Sequence, residues 1–208
     1  MFFIDLKLYI IFVFDRGKDM KSLIDKIKNE AYIIDNRIIK VDHFINHMLD
    51  SKLVFEIGKE FSKRFEGVTK ILTIETSGIP YALATSFYYD FIPVVFAKKI
   101  RGAQSSENVF TSSVFSYTKQ VKSNISVDKN FLSKDDSVLI IDDFLATGEA
   151  TRGLIHLVKQ SGAKIVGVGV VIEKAYEKGR ESMEQEGIDV YALARVLEIK
   201  KNKLVFDE

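Results

Sequence analysis

Short runs of apolar, largely β-branched residues alternate along this chain with longer amphipathic segments. The apolar runs predict strands at residues 70–74, 92–97, 138–141, 165–172 and 190–193. The segments between them predict helices at residues 80–89, 149–161 and 176–186. Because continuous apolar strands that alternate with helices are typical of a parallel sheet covered on both faces, the pattern predicts an α/β fold.

The amino-terminal part of the chain follows a different pattern. An amphipathic helix is predicted to begin at Met20, and two short strands are predicted at residues 32–34 and 38–41 around a turn at Asp35 and Asn36. A further helix is expected over residues 43–65. Farther along, residues 111–127 alternate apolar and polar positions, which predicts an antiparallel hairpin added to the sheet.

The first 19 residues differ from the rest of the chain. Their longest apolar run, residues 8–14, is far shorter than the ~20 residues that cross a bilayer, and no signal-peptide cleavage pattern follows it. These residues form either an extra strand or an extension that results from a start codon assigned too early. We favour the second, so residues 1–19 are expected to be a non-native or disordered extension and residues 20–208 a single domain.

Composition and charge narrow the classes of function. The 208 residues include 30 basic and 29 acidic side chains, so a net charge of +1 provides no field that would attract nucleic acid or an anionic membrane. The chain contains no cysteine, which excludes disulfides, thiolate catalysis and Cys-ligated zinc and favours a cytoplasmic location.

The strongest motif follows the predicted strand at residues 138–141. The adjacent carboxylates Asp142 and Asp143 come directly after it, and Thr147-Gly148 then opens a helix. A helix amino terminus binds phosphate through its free N–H groups, and carboxylates accept hydrogen bonds from sugar hydroxyls. The motif therefore indicates a phosphorylated sugar as ligand, in preference to an ordinary strand–helix loop in which Asp143 only caps the helix.

This motif resembles the phosphoribosyl-diphosphate signature of type I phosphoribosyltransferases. Further segments resemble the bacterial xanthine phosphoribosyltransferases, at residues 40–42, 44–47, 74–79, 93–97, 116–120 and 171–174. The resemblance implies a parallel sheet flanked by helices, with an antiparallel hairpin and a small hood built from both ends of the chain. It also implies that Asp142 and Asp143 bind the ribose 2′ and 3′ hydroxyls as the catalytic pair. The 5′-phosphate would lie in the following loop, on Ala146, Thr147, Gly148, Glu149 and Ala150.

The same resemblance places the leaving pyrophosphate on a second loop. That site would consist of Thr76, Ser77 and Gly78, with Lys98 and Lys99 as neutralising charges. Residues 102–108 are small and polar and are expected to close over the substrate. Because no carboxylate cluster forms a cation cage, Mg²⁺ is expected to bind through substrate oxygens and not through a dedicated protein metal site.

The base is expected to contact Ile39, Asn46 and Lys174, again by resemblance. A lysine donates hydrogen bonds to the carbonyl oxygens of xanthine but finds no acceptor at the amino group of adenine. The resemblance thus implies a purine salvage enzyme that joins xanthine to 5-phospho-α-D-ribose 1-diphosphate (PRPP), giving xanthosine 5′-monophosphate and pyrophosphate. Alternatives are a guanine/hypoxanthine or an adenine phosphoribosyltransferase, or a non-catalytic regulator that senses PRPP and binds nucleic acid.

A homodimer is also implied by the resemblance. The aromatic residues 87–91 are expected to cover the sheet as part of the core, with a place in a subunit interface as the alternative.

Overall fold

An eight-stranded sheet forms the centre of the computed structural model, which describes residues 20–100, 108–116 and 121–207. The strands in these residues are β1 (Tyr32–Ile34), β2 (Ile38–Lys40), β3 (Lys70–Ile74), β4 (Val94–Ile100), β5 (Val109–Ser116), β6 (Val121–Asp128), β7 (Ser137–Leu145), β8 (Lys164–Lys174), β9 (Val190–Lys200) and β10 (Lys203–Phe206). The sheet has the order β10-β9-β8-β7-β3-β4-β6-β5. Its five inner strands, β9 to β4, are parallel, while β10 and the β5–β6 hairpin are antiparallel.

Five helices in the described residues cover the two faces of the sheet. They are α1 (Lys21–Glu30), α2 (Ser51–Arg64), α3 (Ile79–Phe87), α4 (Glu149–Ser161) and α5 (Gly179–Gln185). The first three bury their apolar residues in one core cluster with Leu139 and Ile141 of β7. Helices α4 and α5 bury theirs in a second cluster with Val138 and Ile140, so successive residues of β7 serve opposite faces.

The predicted α/β architecture and the antiparallel hairpin are therefore confirmed. Helix α4 has the predicted bounds, and β3 does as well. Strands β7 and β8 both run farther than predicted, because Leu145 of β7 still pairs with Glu173 of β8. The acidic pair consequently lies within the end of β7 and not in the loop after it.

The single helix predicted over residues 43–65 is confirmed only over its second part, from Ser51. The chain there forms a short π-helical turn, Asp42–Asn46, and then α2. Helix α2 begins where it does because the Asp50 carboxylate accepts a hydrogen bond from the backbone N–H of Leu53 at 3.2 Å, which caps a new helix.

The aromatic segment at residues 87–91 is predicted to be part of the core, but the structure buries it only in part. The side chains of Phe87 and Phe91 are 46% and 70% exposed, while Tyr88 and Tyr89 are half-buried. The burial of this segment is therefore incomplete within one copy of the chain.

A small hood joins the two ends of the described chain. It consists of the antiparallel β1–β2 hairpin and the turn between β9 and β10, and the backbone N–H of Asn202 donates to the Asn36 side-chain oxygen at 3.2 Å. The predicted extension at residues 1–19 lies outside the described residues, and so do residues 102–107 of the predicted covering loop. No helix in the described part of the chain is long and apolar enough to span a membrane.

Candidate active site

Two cavities lie side by side at the carboxyl ends of the parallel strands. The larger has a volume of about 630 Å³ and the smaller about 260 Å³. Phe115, Phe144 and Ala150 line both, so the cavities share a wall. This is the edge at which ligands collect in open α/β sheets.

The acidic pair lines the smaller cavity. Asp142 is buried and Asp143 half-buried, and the backbone N–H of Asp143 donates to the Asp142 carboxylate at 3.0 Å. Burial, and next the charge of Asp143, hold the pKa of the Asp142 carboxyl well above its ordinary value, while Lys99 opposes the rise. The protein thus maintains two adjacent carboxyls at an unfavourable position, which is typical of a functional site.

The predicted phosphate loop, residues 146–150, lines the larger cavity throughout. Gly148 has a φ of 81°, a left-handed conformation that glycine adopts without strain, and α4 begins at the next residue. Glu149 is the anion of the first helical turn, and its carboxylate accepts a hydrogen bond from Nη2 of Arg152. The side-chain charge of Glu149 is therefore compensated within the protein.

The second loop follows β3 and contributes to the smaller cavity. Thr76, Ser77 and Lys99 line that cavity, and the Glu75 carboxylate accepts a hydrogen bond from the backbone N–H of Lys99 at 2.7 Å. This bond ties the loop to β4. Gly78, which was predicted to bind pyrophosphate, lines neither cavity, and a Cβ at this position would stand only 2.0 Å from Oγ1 of Thr73.

Lys98 and Lys99 point in opposite directions, as neighbours on a strand do. Lys98 does not line either cavity, and its ammonium lies 5.9 Å from the ring centroid of Phe96. Of the two lysines predicted to face pyrophosphate, the structure therefore brings Lys99 to the cavity and leaves Lys98 outside it.

The base-binding residues predicted from resemblance are only partly brought together. Lys174, at the end of β8, lines the larger cavity, and its ammonium lies 3.5 Å from the carboxylate of Glu177. Ile39 is buried and Asn46 exposed, and neither lines the cavity. The assignments of Ile39 and Asn46 stay predictions.

Several lining residues were missed by the sequence analysis. The β1–β2 hairpin contributes Asp35, Arg37 and Ile38 to the larger cavity, opposite the phosphate loop. Phe144 follows the acidic pair directly, so its position at the strand end could have indicated that it lines the site. Phe115 and the hairpin residues carried no such signal, because only the folded sheet brings them to this edge.

No group of three or more His, Cys, Asp or Glu side chains in the described residues is arranged to hold a metal ion.

Comparison with known proteins gives a consistent family assignment. A model of the phosphoribosyl transferase domain matches residues 48–196. The xanthine phosphoribosyltransferase of Clostridium tetani is 49% identical over 189 residues, which cover 90% of this chain and all of the relative. That of Latilactobacillus sakei is 43% identical, covering 90% of this chain and 96% of the relative.

Solved structures show the same fold. The adenine phosphoribosyltransferase of Trypanosoma brucei, in complex with AMP, pyrophosphate and ribose-5-phosphate, superimposes with a TM-score of 0.70 at 18% identity, covering 86% of this chain and 81% of that one. The adenine phosphoribosyltransferase of Leishmania tarentolae gives a TM-score of 0.67 at 18% identity, with 86% and 89% covered.

Proposed function

Because the chain belongs to the phosphoribosyltransferase family, we propose that it transfers the 5-phosphoribosyl group of PRPP to N9 of xanthine. The products are xanthosine 5′-monophosphate and pyrophosphate, and the reaction is one of purine salvage. The observation that carries the proposal is the junction of the two cavities, where the acidic pair, the phosphate loop and Lys174 lie at one edge of the sheet.

The ribose is held at this junction. Asp142 and Asp143 accept hydrogen bonds from its 2′ and 3′ hydroxyls, and residues 146–150 bind the 5′-phosphate through backbone N–H groups at the start of α4. The two anchors orient the anomeric carbon between the base and the leaving group. Positioning of this kind, together with charge stabilisation, is what a reaction with an oxocarbenium-like transition state requires from its enzyme.

Pyrophosphate leaves into the smaller cavity. Thr76 and Ser77 supply hydrogen-bond donors there, and Lys99 supplies positive charge. A Mg²⁺ ion bound to the pyrophosphate would neutralise further charge. The described residues hold no group of three or more metal-ligating side chains, which suits an ion that takes most of its ligands from substrate and water.

The base lies in the larger cavity with Lys174 beside it. Lys174 donates to a carbonyl oxygen of xanthine, whereas an adenine amino group in the same place offers it no acceptor and leaves it only its pair with Glu177. Guanine keeps the C6 oxygen, so Lys174 separates xanthine from adenine better than from guanine.

We assign the reaction to the cytoplasm, since a chain without cysteine forms no disulfide that an oxidising compartment would maintain.

The direct test is turnover with one purine base at a time. Purified protein with PRPP and Mg²⁺ is expected to form nucleotide fastest with xanthine, more slowly with guanine, and at least about tenfold more slowly with adenine, since one hydrogen bond to a charged group is at stake. Nucleotide formation is followed by chromatography. Fastest turnover with guanine or adenine would contradict the choice of xanthine, and no turnover with any base would contradict the enzymatic function.

We further propose that a second copy of the chain covers an apolar patch on α2, α3 and the turn that follows α3. The patch consists of Phe55, Leu83, Phe87 and Phe91, which are 45%, 63%, 46% and 70% exposed. The rings of Phe55 and Phe91 lie 5.6 and 5.2 Å from that of Phe87, so the three rings form one continuous surface. Leu83 lies four positions before Phe87 on α3 and therefore on the same face of that helix. Clustered aromatic side chains of this kind are enriched at the centres of subunit interfaces.

The dimer is tested by its mass in solution. Sedimentation equilibrium is expected to give twice the mass of the chain for the wild type and a single-chain mass for Phe91→Asp, because the buried charge costs several kcal/mol when unpaired. The control, Phe131→Asp, changes an exposed phenylalanine outside the patch and should remain dimeric. A wild-type protein that sediments as a monomer would disprove the proposal.

A further inference from the structure

An ion pair closes the segment that runs from the end of β8 to the start of α5, residues 173–180. Nε of Arg180 donates to both carboxylate oxygens of Glu173, at 3.0 and 3.1 Å. Lys174 follows Glu173 in the chain, and Gly179 precedes Arg180. The closed segment therefore carries the base-side lysine at one end and Gly179 at the other.

Gly179 lies directly against the phosphate loop. Its backbone N–H donates to the carbonyl oxygen of Ala146 at 3.0 Å. A Cβ at this position would stand 2.2 Å from that oxygen and 2.7 Å from the backbone nitrogen of Gly148, distances that real side chains do not reach. The loop is thus supported from behind by backbone that must lack a side chain.

Helix α5 extends this support. Oγ of Ser182 accepts a hydrogen bond from Nη1 of Arg152 at 2.8 Å, and Arg152 also holds Glu149 of the loop. The methyl group of Met183 lies 2.9 Å from the place that a Cβ of Gly148 would take. Helix α5 therefore contacts the phosphate loop through side chains as well as through the backbone of Gly179.

The position of α5 in turn depends on a buried charge cluster. Glu173 is only 2% exposed, and besides Arg180 it accepts a hydrogen bond from Nε of Arg195 at 3.1 Å. The bonds to Glu173 raise the pKa of Arg180, whose Nη1 also donates to the carbonyl oxygen of Val190. A buried carboxylate with two arginines tolerates little change of geometry, because each lost bond leaves a charge without compensation.

We propose that Arg180 and Gly179 are positioning residues that fix the phosphate loop relative to Lys174. Neither lines the cavities, so both act through other residues. Arg180 sets the start of α5 by binding Glu173, and Gly179 transmits that position to the loop by direct contact. The inference rests on the proposed function, in which the loop holds the 5′-phosphate and Lys174 the base.

The first test replaces the glycine. Gly179→Ala is expected to weaken the binding of PRPP at least about tenfold, because a displacement of the loop by an ångström is enough to disrupt a phosphate site. Binding is measured by calorimetry with PRPP and Mg²⁺ and without base. The matched control is Gly187→Ala, just past the other end of α5, where φ is 74° but no atom lies within 4 Å of the added Cβ. The control strains the backbone without touching the loop, so its affinity for PRPP should equal that of the wild type.

The second test keeps the charge of Arg180 and removes its forked geometry. Arg180→Lys should raise the KM for PRPP at least about fivefold, whereas Arg64→Lys, in an exposed pair with Asp189, should not. This variant decides the matter if Gly179→Ala does not fold. An unchanged KM for PRPP in folded Arg180→Lys, with only a lower Tm, would show a purely structural role and overturn the proposal.

These outcomes are separate from the choice of base. Calorimetry with PRPP uses no base, and the KM for PRPP is measured with whichever purine the wild type turns over. A wild type that prefers guanine would contradict the proposed function and leave the comparison of Gly179→Ala with Gly187→Ala intact.

Discussion

Replacing both carboxylates of the acidic pair by amides, Asp142→Asn with Asp143→Asn, is expected to lower kcat/KM for PRPP by about 10²- to 10⁴-fold. Each carboxylate contributes a charged hydrogen bond to a ribose hydroxyl, and such bonds amount to about 1.5–3 kcal/mol each. Single substitutions should cost about 10- to 10²-fold. Initial rates at varied PRPP measure the effect.

The control for this change is Asp135→Asn, which removes an exposed carboxylate remote from both cavities. It should leave kcat/KM unchanged. Retention of wild-type activity by the double variant would mean that the pair is structural and that the ribose lies elsewhere.

Asp142→Asn should at the same time stabilise the protein at neutral pH. The pKa of Asp142 is raised in the folded state by burial, so the unfolded chain releases its proton at a lower pH than the folded chain does. Stability contributed by this group is therefore present in acid and lost as pH rises above the ordinary range of Asp. An asparagine does not titrate and can still accept the N–H of Asp143.

The expected result is a Tm at pH 7 that is higher by about 2–4 °C for each kcal/mol recovered, with a difference that narrows as pH falls. Thermal unfolding of the two proteins between about pH 5 and pH 8 measures it. Equal Tm values across this range would contradict the burial of a carboxyl whose pKa is raised.

Substituting the base-side lysine should change the choice of purine. Lys174→Gln is expected to lower kcat/KM for xanthine by about 10- to 10²-fold, because a charged donor to a carbonyl oxygen is replaced by a neutral one. Turnover of adenine should change much less, since its amino group gains an acceptor in the glutamine oxygen. The measurement is kcat/KM for each base at saturating PRPP.

Lys178→Gln is the matched control, since Lys178 is exposed and lines neither cavity. It should behave as the wild type does. An equal loss of activity with xanthine and adenine in Lys174→Gln would indicate that Lys174 supports the ribose phosphate and not the base.

The sequence predicted the parallel part of the fold well because its strands are buried on both faces. Strand β3 is apolar at three of its five positions and buried at four, a composition typical of a core strand. The apolar pattern did not predict the end of β9 or strand β10. Strand β9 continues to Lys200 through exposed residues, and β10 is a short edge strand with one buried side chain. Hydrogen bonding to a neighbour, and not burial, defines them.

The site was predictable where its residues are consecutive. The acidic pair and the phosphate loop occupy one stretch of nine positions, and all of them line a cavity except Leu145. Arg37, Phe115 and Gly179 come from separate parts of the chain, and pattern alone does not say which segments meet. The sequence around Gly179 does not identify it as a functional residue, because its role depends on its contact with the phosphate loop.

The hood has a consequence for how the chain is made. The hydrogen bond from Asn202 to Asn36 spans 166 positions, and a chain emerges from the ribosome with its amino terminus first. During translation the β1–β2 hairpin is therefore present long before the turn that holds it, while the sheet around the acidic pair can already assemble. The wall of the larger cavity that Asp35 and Arg37 form therefore gains its bond to Asn202 later than the acidic pair and the phosphate loop are synthesised.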